Sequence, residues 1–182
     1  RRTWDTFSEH LKYFEDQKIF ISNLDKSIKT NTVIRLSSEY KTHKFREDLR
    51  WLEFDDNLKL NYYQGSFFTL LSKSRLVVHS YDSTGFLEGL ALNVPTMAFW
   101  QNGLDHLVPE AKLYYQELVD IGILHLSPKS ISEKINNEWT DIELWWNRLG
   151  IQKVRNKFCN QYARQIENPI QELTNLLTKN LE

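Results

Sequence analysis

The chain has 182 residues, 23 Lys+Arg against 24 Asp+Glu, and a formal net charge of -1. So balanced a chain is not built to grip nucleic acid or an anionic membrane by bulk charge. Hydrophobic residues at 41% and aromatics at 13% exclude a disordered chain, and 6 Gly with 4 Pro exclude collagen-like and linker-like ones.

Phe7, Leu11, Phe14, Ile21, Leu24 and Ile28 step by three, four and seven, which predicts one long helix over about residues 5–28. Asn31 breaks it, and the β-branched run 32–37 reads as a strand. Residues 43–53 read as a helix with Phe45, Leu49 and Leu52 on one face. Asp55-Asp56-Asn57 turns the chain into a weak strand at 58–61, and 66–72 reads as a short helix. Arg75-Leu76-Val77-Val78-His79 is a continuous apolar run, predicting a buried strand. A loop at 80–85, a helix over 86–92, the turn Asn93-Val94-Pro95 and a strand at 96–100 follow. Pro109 opens a helix that runs to about Asp120 and is capped by Gly122; 123–126 is the last strand. Ser127-Pro128 opens the next helix as N-cap and first-turn proline. The remainder, 141–146, 151–168 and 170–181, reads as a helical tail.

Strands alternating with helices of about ten residues predict an α/β fold: a Rossmann-like parallel sheet of about five strands with flanking helices. Residues 1–182 read as a single domain. Opening on Arg1-Arg2 without an initiator Met, the chain reads as a piece of a longer protein. The most apolar stretch, 87–100, is broken by Asn93 and Pro95 and is too short for a membrane span. A single Cys159 allows no internal disulfide and no Cys-based metal cluster, which fits a reducing compartment. Five scattered histidines without HExxH spacing give no metal site.

In parallel sheets, ligands bind beyond the carboxyl ends of the strands. The first such end offers Arg35 and then Ser37, Ser38, Glu39 and Tyr40; the third offers residues 80–85; the fourth offers Gln101, Asn102, Gly103, Asp105 and His106. The middle loop is the sharpest. It delivers hydroxyls and a glycine to the start of a helix, whose free N–H groups favour an anion. Gly85 lets backbone approach a phosphate closely; Ser80, Ser83 and Thr84 add hydroxyl donors; Glu88, one turn in, suits a ligand's hydroxyl groups. The competing reading makes Ser83 or Thr84 a plain helix cap and Glu88 a dipole partner. Arg35 is either a rigid fork for a diphosphate or a strand residue paired with an acid. His79 suits a satisfied core position, His106 an acid–base group or a solvated loop residue. Trp145-Trp146 suits helix packing or contact with another domain. There is no GxGxxG, P-loop or GxSxG.

The segment from Arg75 to Thr96 resembles the donor-nucleotide region in the C-terminal half of GT-B glycosyltransferases: strand, Ser83-Thr84-Gly85 turn, Leu87-Glu88 pair, small-residue helix, Val94-Pro95 turn. More narrowly, Arg2-Thr3-Trp4, Gly122-Ile123-Leu124-His125 and Trp145-Trp146 resemble bacterial putative transferases of surface-carbohydrate biosynthesis. The resemblance implies a nucleotide-activated sugar as donor, an acceptor glycan or lipid-linked intermediate, and a missing N-terminal domain. It also implies a cytoplasmic place, including a peripheral one at the inner membrane face, and chemistry without cofactor or bound metal. By position, Ser83, Thr84 and Gly85 would face the diphosphate, Glu88 would bond ribose or sugar hydroxyls, and Arg35 would neutralise the leaving diphosphate. Leu36-Ser37-Ser38 stands where many relatives carry His-Pro. Two rivals remain open: a UDP-sugar 2-epimerase-like enzyme using the same turn, and a non-catalytic α/β interaction module.

Overall fold

A computed structural model describes residues 7–38, 40, 46–100 and 103–179 of the chain. Glu39, Phe45, Gln101, Asn102 and the opening Arg2-Thr3-Trp4 lie outside the described residues.

The apolar stripe of the first thirty residues forms two helices rather than one, α1 (Phe7–Ser22) and α2 (Lys26–Asn31). The break at 23–25 is pinned from a distance. The Asn136 side chain accepts from Asp25 N at 3.0 Å and donates to the Asn23 carbonyl at 2.8 Å. One turn earlier, Ser132 Oγ donates to the Phe20 carbonyl at 3.0 Å. Residues 111–113 positions away thus take the backbone groups that a continuous helix would have used itself.

The five expected strands all form: β1 (Val33–Arg35), β2 (Lys59–Asn61), β3 (Val77–His79), β4 (Thr96–Phe99) and β5 (Leu124–His125). They do not make one five-stranded Rossmann-like sheet. β1 and β2 pair in parallel as a two-stranded sheet, and β3-β4-β5 form a separate three-stranded parallel sheet. Ladders of two to four residues offer few hydrogen bonds. Side-chain packing therefore sets where the sheets lie, and a shared hydrophobic cluster runs through both, from Leu36 and Leu58 to Met97 and Leu124. The expectation of a buried strand at 75–79 is also corrected. β3 is an edge strand, half-buried at every position, while β4 is buried at all four.

Between the strands run α3 (Glu47–Phe54), α4 (Phe67–Lys73), α5 (Thr84–Ala91) and α6 (Pro109–Asp120). α6 ends as the glycine predicts. Gly122 adopts φ +77°, its N–H reaches the Val119 carbonyl at 3.0 Å, and Ile123 N reaches Leu118 O at 2.9 Å. α7 (Pro128–Glu138) starts on Ser127, whose hydroxyl accepts from Ser130 N at 3.2 Å. α8 (Ile142–Trp146), α9 (Leu149–Tyr162) and α10 (Pro169–Lys179) complete the chain. Among the described residues, no helix is long and apolar enough to cross a membrane.

α5 packs on β4 through Gly89: a Cβ there would stand 2.5 Å from Thr96 Oγ1, so only glycine lets helix and strand meet. Trp145 and Trp146 are buried, with Trp146 Nε1 donating to Asn93 Oδ1 at 2.9 Å. That contact holds Asn93 at φ +56°, a conformation asparagine tolerates. The two tryptophans are therefore packing residues and offer no surface to a partner. Arg155, also buried, ties α9 to the end of α5 by donating to the Leu90 carbonyl at 2.6 Å.

Candidate functional site

The loop 80–83 leaves β3 and enters α5. Ser80 closes on α1: its hydroxyl meets Tyr13 Oη at 2.9 Å and accepts from Gln17 Nε2 at 2.7 Å. Ser80 thus anchors the loop, and Tyr13 packs edge-on against the Tyr81 ring. Ser83 is the N-cap of α5, accepting from Phe86 N at 3.3 Å. Its Oγ is also 3.2 Å from His79 Nδ1. The two atoms share a hydrogen bond whose direction follows the ring tautomer, since the hydroxyl can accept from Phe86 N–H and still either donate to or accept from Nδ1. Nε2 is buried and has no partner among the described residues. His79 is therefore only half satisfied, unlike the satisfied core histidine expected. Burial pushes its pKa down to about 4, so the ring is neutral at pH 7.

Thr84 is exposed, and among the described residues its amide, its hydroxyl and the Gly85 amide have no partner. The Glu88 carboxylate, half-buried one turn in, is likewise unpaired. These are the groups the turn leaves for a ligand. The reason for Gly85 differs from the expected one. A Cβ there would stand 2.9 Å from His79 Cε1 and 3.1 Å from Phe67 Cζ. The bare α-carbon faces side chains, so glycine is required by packing, and what remains open is the amide edge.

Arg35 ends β1, in the other sheet. Its guanidinium donates to the Gln64 and Gly65 carbonyls at 3.4 and 3.3 Å and lies over the Tyr63 ring at 4.5 Å. No acid among the described residues pairs with it, and no hydrogen bond, ion pair or ring contact joins it to 80–88. Tyr63 holds φ +60° and Gly65 φ +75°, so a tight loop shapes this seat.

One pairing was not foreseen. His106 Nε2 lies 3.8 Å from Asp82 Oδ2, joining the loops after β4 and β3. Both residues stand at strand ends in the sequence, but nothing in a spacing of 24 positions links them. Burial raises the Asp82 carboxyl, and His106 opposes that rise. Asp105 turns away to Lys112 at 3.1 Å. Behind them, burial raises the Tyr115 hydroxyl, with the Asp82 charge adding to it. The other buried histidine, His125, is fully occupied by Ser130 Oγ at 2.8 Å and the Gly122 carbonyl at 3.1 Å, so it is structural.

Two surface grooves lie elsewhere. One of about 510 Å³ runs along α9 beside Tyr114, and one of about 480 Å³ lies between Arg164 and Asn175. Both are wide open and lined mainly by solvated amide and charged side chains. The chemistry of unpaired groups favours the strand edge over either.

An α/β chain with free helix-start amides and a free carboxylate at the carboxyl end of a parallel sheet is equipped to hold a polar, anionic substrate. The LIC12162 family transferase model matches residues 2–177, and the chain belongs to this family of transferases. No curated protein and no solved structure matches it.

Proposed function

We propose that the chain is the donor-binding part of a glycosyltransferase-type enzyme and holds a nucleotide-activated sugar at 83–88. The observation that carries this is the set of unpaired groups at one helix start: the Thr84 and Gly85 amides, the Thr84 hydroxyl and the Glu88 carboxylate. The amides and the positive end of the α5 dipole take the diphosphate. Glu88 accepts from ribose or sugar hydroxyls. Ser83 caps the helix and, with His79, holds the turn in shape, while Ser80 fixes the loop to α1. In this reading Arg35 neutralises the departing diphosphate. Its present carbonyl contacts are long and neutral, and a charged phosphate outcompetes them.

In the transfer, an acceptor oxygen attacks the sugar carbon that bears the diphosphate. That carbon–oxygen bond breaks, and its electron pair leaves with the diphosphate. Oriented amides stabilise the charge developing there without metal. The acceptor, a glycan or lipid-linked intermediate, and the base that takes its proton come from a second domain. We place the chain as the C-terminal half of such a two-domain enzyme of surface polysaccharide assembly.

The test is nucleoside diphosphate titration followed by ¹H–¹⁵N spectra, with Thr84→Val and Glu88→Ala. Amide shifts concentrated at 83–88, weakened in both variants, are expected. No shift in that segment at millimolar nucleotide refutes the reading. Epimerisation of a nucleotide sugar without acceptor would favour the epimerase-like alternative.

A further inference from the structure

Asp82 stands directly before Ser83, the N-cap of α5. A carboxylate is thus built into the entrance of a turn whose free amides suit an anion, an arrangement that opposes binding unless the charge is cancelled. Neither loop, 80–83 nor 103–108, carries a Lys or Arg to cancel it. The group that meets Asp82 is His106, at 3.8 Å, with the two side chains 40% and 45% exposed. Of the other titratable groups nearby, Tyr115 and Tyr81 hold their protons more tightly, both through burial, with Glu47 adding to the rise at Tyr81, and Asp105 is occupied by Lys112. Beside the same turn, Nε2 of His79 is buried and has no partner among the described residues, so a polar atom next to the turn is left unsatisfied.

We propose that Asp82 and His106 couple anion binding at the Thr84 and Gly85 amides to the uptake of one proton. A diphosphate reaching the turn raises the negative potential around the pair. The imidazole then takes a proton from solvent and neutralises Asp82. Imidazole is the side chain that gains charge at small free-energy cost near neutral pH. Binding therefore tightens as pH falls and weakens as pH rises. The inference rests on the donor-turn reading above and adds its regulation by pH.

The experiment uses the full 182-residue chain and inorganic pyrophosphate. Calorimetry in two buffers of different ionisation enthalpy counts protons taken up on binding, and ¹H–¹⁵N spectra follow the amides of 83–86. Wild type, His106→Gln and Asp82→Asn are compared, so that the probe's own ionisation cancels in the differences. Wild type is expected to take up more protons than His106→Gln and to lose affinity from pH 6 to pH 8. His106→Gln binds without that pH dependence. Asp82→Asn binds roughly three- to tenfold tighter at pH 8, the size of one removed charge at several ångströms in a partly screened site. A merely structural pair would not give tighter binding on losing its acid. Equal proton uptake in wild type and His106→Gln, or weaker binding by Asp82→Asn, overturns the proposal while amide shifts at 83–86 keep the donor-turn reading standing. Absence of those shifts overturns that reading, and the proposal with it.

Discussion

Gly85→Ala tests what the turn is built for. The added methyl would stand 2.9 Å from His79 Cε1 and 3.1 Å from Phe67 Cζ. The Phe67 contact is the tip of a half-buried ring and can yield a few tenths of an ångström. The His79 ring is wedged by its burial and by its bond to Ser83, and it also packs edge-on against Phe86. Overpacking of this kind costs about 1–3 kcal/mol. Replacing glycine by alanine inside a helix returns up to about 1 kcal/mol through backbone entropy. The net expectation is a loss of about 1–2 kcal/mol, which for a chain of this size lowers Tm by roughly 2–8 °C. Urea unfolding and a thermal melt read it directly. Phe67→Leu in the alanine background should recover part of the loss by emptying the crowded notch. If Gly85→Ala is as stable as wild type or more so, the bare α-carbon faces open space. The packing explanation then fails, and close phosphate approach over that carbon returns as the reason for the glycine.

Two further outcomes follow from buried polar groups. The folded pKa of His79, about 4, lies below its usual 6.5, so the unfolded chain binds the extra proton. Stability from this group is complete above pH 6.5 and is lost as pH falls toward 4. An interval of about 2.5 in pKa, at about 1.4 kcal/mol each, bounds the loss at roughly 3.5 kcal/mol; His79→Gln should flatten urea midpoints over that range, leaving a residual slope from His125, also held down by burial. Arg155→Met keeps the side-chain volume but removes the charge-assisted bond to the Leu90 carbonyl, which retains its backbone donor Asn93 N at 3.1 Å, and should cost about 1–3 kcal/mol in urea unfolding; an unchanged midpoint would show that the bond to Leu90 contributes nothing.

Local chemistry made much of this protein legible in its residues. A short apolar run, a serine three residues before a helical N–H, a proline in a first turn and a glycine past a last turn act within five positions. The strands at 77–79 and 96–99, the Ser83 and Ser127 caps and the Gly122 stop are therefore where spacing puts them. The candidate turn at 83–88 could be located for the same reason.

Distant packing decided the rest. Asn136 splits the first helix because its amide outcompetes a continuing turn for two backbone groups. Five short strands divide into two sheets because ladders this brief yield to side-chain burial. His79 and Phe67 converge on Gly85, His106 finds Asp82, and Arg35 folds over Tyr63. Each of these depends on which surfaces meet when the chain collapses, and no periodicity or cap records that choice.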